Sequence, residues 1–83
     1  MMDRKAIIAA IENERASQDQ KWPRDAAVNP NRAQYRFYAP HIVVLEEKLA
    51  RLRKIWYESD RELLNAEFIK MAALAIRALE EVE

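Results

Sequence analysis

PHIVVLEEKLARLRKIWYESDREL, residues 40–63, sets the architecture of this chain. Within it Ile42, Leu45, Leu49, Leu52 and Trp56 follow at steps of three, four, three and four. That alternation holds apolar side chains on one stripe of an α-helix, because 3.6 residues complete a turn. Pro40 suits the first turn, where its missing N–H removes a donor that would lack a partner. A helix is therefore predicted over about residues 40–57. Ser59, followed three residues later by Glu62, reads as a capping box that opens another helix over about 60–82. Its stripe is Leu64, Phe68, Met71, Ala75 and Ala78, and a second apolar face adds Ile69, Ala72, Ile76 and Leu79. With one or two residues between them, the two helices must fold back as an antiparallel hairpin.

Upstream, Asp3 is a good N-cap for a helix carrying Ile7, Ile8 and Ile11. Pro23 stops it, which predicts a helix over about 4–22. Residues 23–39 read as irregular, with one short turn opened by Asn29-Pro30 and carrying Tyr35, Phe37 and Tyr38. Two apolar faces on the last helix imply that it is sandwiched, under the first helix or against another protomer. The expectation is one all-α domain over 1–83, an N-terminal helix plus an antiparallel hairpin, completed by oligomerisation.

The composition narrows function by exclusion. Eighty-three residues make one domain, and folding at this size buries only about 60% of the unfolded surface. The chain has no cysteine and one histidine, which removes disulfides, thiolate chemistry, His-based zinc sites and serine triads. Glycine is absent altogether, so phosphate-cradling loops and nucleophile elbows have nothing to build on. Fourteen basic and fourteen acidic residues cancel, so no global field favours nucleic acid or an anionic membrane. Neither a signal peptide nor an apolar run of membrane-spanning length is legible, and a cytoplasmic protein is expected.

Several groups are candidates for chemistry. Pairing the hairpin so that residue numbers sum to roughly 115 brings Glu67 within a turn of Glu46 and Glu47, with Lys70 one turn further along. Three carboxylates there could hold magnesium, although a chain that is 34% charged also places glutamates together by chance. His41 reads as an ordinary helix-terminus residue. Lys48, Arg51, Arg53 and Lys54 could touch phosphates, but such a run is usually a solvated helix face, and nucleic-acid recognition is disfavoured. On the first helix Glu14, Gln18 and Lys21 share one face, and Arg15, Asp19 and Trp22 the next. Trp22 either plugs the helix end against helix three while the polar groups pair locally, or Arg15 and Lys21 face a phosphate.

The blocks IENERASQDQKW (11–22), VLEE (44–47) and EFIKMAALAIRALE (67–80) resemble those of small phage and prophage MazG-like proteins. The blocks are spread from residue 11 to residue 80, so the resemblance spans nearly the whole chain. The resemblance implies an all-α fold, assembly through helix pairs, and magnesium-dependent hydrolysis of nucleoside triphosphates to monophosphate and pyrophosphate. It also implies which residues would ligate the metal: Glu46, Glu47, a third glutamate where this chain has Ala50, Glu67, and an aspartate where it has Lys70. An ammonium group donates only and cannot ligate magnesium. Leu49 stands where glycine is usual, extending the apolar stripe. The implied reading is a degenerate module that has lost its metal and its catalysis. Such a module works in the host cytoplasm by binding itself and a host protein, for instance by inhibiting a defence or metabolic enzyme. An active magnesium-dependent pyrophosphohydrolase is the rival, and a nucleotide- or nucleic-acid-binding module the third reading. For binding, the candidates are Glu14, Arg15, Gln18, Lys21, Trp22, Lys48, Arg51, Arg53 and Lys54. A Lys70–Glu67 or Lys70–Glu46 ion pair is expected in place of the metal, with Arg51 and Arg53 too near the turn to reach.

Overall fold

A computed structural model describes residues 3–23 and 34–83, and within them the chain forms three helices and no strand. Helix α1 spans Arg4–Lys21, α2 spans Tyr38–Glu58 and α3 spans Arg61–Glu81. The all-α expectation holds. The Asn29-Pro30 turn lies outside the described residues, while Gln34, Tyr35 and Arg36 form one 3₁₀ turn just before α2.

The helix ends follow from local chemistry. The Asp3 carboxylate accepts from the Ala6 N–H at 2.8 Å and caps α1. Pro40 sits within the first turn of α2, which starts two residues earlier than its proline suggested. The capping box does not form as expected. Ser59 instead ends α2 in the left-handed region, at φ 58° and ψ 28°, and Asp60 caps α3 by accepting from the Leu63 N–H at 3.0 Å. A helix commonly closes with glycine in that conformation, and this glycine-free chain uses serine.

α3 is the middle element. α1 and α2 both pack along it, and their backbones do not approach each other. Trp22, at the end of α1, lies by Arg77, while Ile7 and Ile11 lie by Asn65 and Phe68, so α1 and α3 run in the same direction. α2 runs against both. The arrangement is open, with a Cα radius of gyration of 13.8 Å against about 12 Å for a compact chain of this length.

Burial corrects the reading of the hairpin stripe. Leu52 and Ile55 of α2 and Ala73 and Leu74 of α3 are the buried apolar residues among those described; Leu52 lies by Leu64 and Met71, and Leu74 by Val44. Much of the stripe turns outward: Leu49 is 52% exposed, Trp56 64% and Phe68 55%, while Leu45, Leu64 and Met71 are half-buried. A stripe at helical spacing defines a face but not the neighbour it covers. Here the side of α2 turned to α3 carries Lys48, Leu52 and Ile55, and the Leu49–Trp56 side stays open. Leu49, Trp56, Leu64, Phe68 and Met71 line one apolar groove, Ile7, Ile11, Phe68, Ile69 and Ala72 line another, and Phe68 is the ridge they share.

Candidate functional site

Among the described residues six polar side chains are buried, more than the apolar ones: Arg15, Gln18, His41, Glu67, Arg77 and Glu81. Buried charges need partners, since desolvation of an unpaired ion costs several kcal/mol. The partners define three clusters along α3.

The first surrounds Glu67, whose side chain is 1% exposed. Arg51 Nε lies 3.0 Å from its Oε1, Lys70 Nζ 3.6 Å from the same oxygen, and Lys48 Nζ 3.3 Å from Oε2. Burial by itself would raise the carboxyl pKa. The Arg51 hydrogen bond and the Lys48 and Lys70 charges outweigh it and hold the group below its ordinary value of 4.5. One carboxylate thus meets three cations, a local surplus of two positive charges.

The Lys70–Glu67 pair expected from the sequence is present, and the exclusion of Arg51 is corrected. The expected axial level was sound, since Lys48 and Glu67 are level across the hairpin. The azimuth was not. At 100° per residue, Lys48 and Arg51 share the α3-facing side with Leu52 and Ile55, whereas Glu46, Glu47 and Ala50 lie exposed on other sides of α2. Glu46, Glu47 and Glu67 therefore do not converge, and the described residues contain no group of three His, Cys, Asp or Glu arranged to hold a metal ion. Arg53 and Lys54 are exposed, Arg53 on the wall of the α2–α3 groove.

The second cluster joins α1 to α3. Arg15 holds Glu80 Oε1 at 2.8 Å and Asp19 at 2.9 Å, and its Nη1 donates to Gln18 Oε1 at 3.1 Å. Gln18 Nε2 in turn donates to the Lys70 carbonyl at 3.4 Å. Burial would lower the Arg15 pKa, but the Glu80 and Asp19 hydrogen bonds outweigh it and raise it. Glu14 is half-buried beside Ala66 and Lys70, and Lys21 is exposed. Arg15 is thus committed to structural pairs, and of the two candidate cations Arg15 and Lys21 only Lys21 is exposed.

The third cluster closes the end of the bundle and involves residues that sequence reasoning passed over. Arg77 Nε donates to Glu81 Oε1 at 2.9 Å, and its guanidinium carbon lies 5.2 Å from the Trp22 ring centre and 5.1 Å from that of Tyr35. His41, read as an ordinary terminus residue, is buried. Its Nε2 donates to the Tyr35 carbonyl at 2.6 Å, 3.8 Å from Glu81 Oε2. The Arg77–Glu81 spacing of four on one helix was the available signal. Nothing local to His41 announced its partners, which lie six and forty residues away.

No family model, no curated protein and no solved structure matches this chain. The likeness to MazG-like proteins accordingly rests on the three sequence blocks alone. Among the described residues, no helix is long and apolar enough to cross a membrane.

Proposed function

We propose that this chain is a catalytically degenerate helical module, MazG-like in descent, that acts by binding and not by hydrolysis. The observation that carries the reading is the Glu67 cage. Three cations lie where a divalent ion would have to sit, and each supplies donors only. A magnesium ion entering there would have to displace three favourable charge pairs and face their repulsion.

The open apolar face supports binding as the mode of action. Among the described residues only four apolar side chains are buried, and exposed apolar patches rimmed by polar groups mark protein interfaces. A second copy seated on the Leu49–Phe68 face would bury what the monomer leaves in water. The polar surfaces then remain for a host protein. Thermal melting with magnesium tests the reading. A metal that binds the folded state raises Tm by mass action, so millimolar magnesium should leave Tm unchanged. A rise abolished by Glu67→Gln would contradict the proposal.

A further inference from the structure

A cleft of about 380 Å³ opens where the end of α1 and the 3₁₀ turn meet the α2–α3 hairpin. Its size falls in the range of small-molecule sites. Trp22 and Tyr35 give it ring-bearing walls, Val44 and Leu74 an apolar floor, and Lys48 and Arg77 two cations. The Arg77 side chain is 7% exposed, and its Nε is taken by Glu81. Its two terminal nitrogens make no hydrogen bond to a described residue, and the guanidinium lies against the Trp22 and Tyr35 rings, so N–H donors remain beside the cleft. Lys48 belongs to the cage in which three cations meet one carboxylate, so its pairing does not cancel the local positive charge. Glu47 also lines the cleft and is exposed, which removes one charge of that surplus and leaves the balance positive.

We propose that this cleft is a metal-independent site for a small planar oxyanion, a one- or two-ring compound bearing a phosphate or carboxylate group, held by Arg77 and Lys48 and stacked on Trp22 or Tyr35. The proposal rests on reading Glu67 as a caged carboxylate, because Lys48 can then serve an anion directly with no cation between them. Guanidinium matches the paired oxygens of either anion, and aromatic faces accept a flat ring without selecting its identity.

The test is an NMR titration of the full chain in EDTA with adenosine monophosphate, indole-3-acetate, adenosine and inorganic phosphate as separate probes. Trp56 lies on the opposite, apolar groove and serves as an internal control. A ring-bearing anion should shift the Trp22 indole N–H saturably and leave that of Trp56 in place. Adenosine and phosphate alone should bind at least about tenfold more weakly. The tighter of the two ring-bearing anions assigns phosphate or carboxylate. Lys48→Gln should weaken binding about tenfold, and Arg77→Lys, which keeps the charge but not the fork, should weaken it while the fold persists. Absence of saturable shifts from either ring-bearing anion, or unchanged binding in both variants, would overturn the site. Binding seen only after magnesium is added would overturn this site and the caged reading of Glu67 together. No binding under any condition would remove the site and leave the caged reading standing.

Discussion

Arg51 Nε stands 3.0 Å from Glu67 Oε1, and that carboxylate is almost wholly out of water while Arg51 itself is half in it. The pair shows how the hairpin is organised. A long basic side chain on α2 lies along the contact and reaches an acid on α3 that the apolar residues have enclosed. Lys48 does the same from α2, and Lys70 reaches Glu67 from one turn along α3 itself. Because all three cations keep access to solvent, they pay little desolvation, and the burial cost falls mainly on Glu67.

Removal of that one acid should therefore be felt. Glu67→Gln leaves three cations facing one another without their shared anion, and should destabilise by about 1–3 kcal/mol, below a fully buried pair because the cations can relax into water. Chemical denaturation of the two proteins at neutral pH measures it.

Acid should act through the same group. Its folded-state pKa is depressed, so its contribution is fully present above the unfolded value near 4.5 and is lost as pH falls through the lower folded value. The wild-type Tm should drop over that acidic window, and Glu67→Gln should show a shallower drop. Parallel melting profiles for the two would mean that Glu67 is not the linked group.

The turn between α2 and α3 separates two capping assignments. Asp60→Ala should cost about 1 kcal/mol by removing the Leu63 cap, whereas Ser59→Ala should cost almost nothing. Ser59→Gly should stabilise by roughly 0.5–1 kcal/mol, since glycine adopts the left-handed conformation without a Cβ clash. Equilibrium unfolding of the three variants decides between them.

Phe68 reports on self-association. At 55% exposure it should contribute about 1 kcal/mol to a monomer, but Phe68→Ala should cost about 2–5 kcal/mol if a second copy buries it. Sedimentation at micromolar concentration should show species heavier than 9.8 kDa that Phe68→Asp returns to monomer. A wild-type protein that sediments only as monomer would remove the proposed second copy.

How far the sequence could be read depended on the range of the interaction. Asp3, Pro23 and Pro40 act on their own neighbours, and the helices they delimit are legible within two residues. Ser59 and Asp60 each precede a plausible cap position, and only the left-handed backbone at Ser59, in a chain without glycine, shows which one caps. Lys70 lies one turn from Glu67 on the same helix, so that pair could be foreseen. Rotation of α2 about its own axis could not, because its apolar stripe and its inward face differ. That rotation brings in Arg51 and leaves out Glu46 and Glu47. Trp22 against helix three was foreseen from its place at the end of α1, but its Arg77 partner and the His41–Tyr35 contact join separate segments of chain and have no periodicity to betray them.

The same rotation bears on restoring the MazG pattern. Ala50→Glu with Lys70→Asp recreates the motif in sequence, but Ala50 is exposed on the side of α2 away from Glu67. The double variant should remain unable to bind magnesium, and Lys70→Asp should destabilise by placing a second carboxylate beside Glu67. Calorimetric titration with magnesium checks the first point and melting the second.

Release of pyrophosphate from nucleoside triphosphates, measured on the purified chain with and without magnesium, tests the central claim most directly. A Glu67 carboxylate already neutralised by Lys48, Arg51 and Lys70 has no role left in holding a metal, so the rate should equal the protein-free background for every nucleotide tried. Magnesium-dependent turnover that disappears in Glu67→Gln would contradict the account.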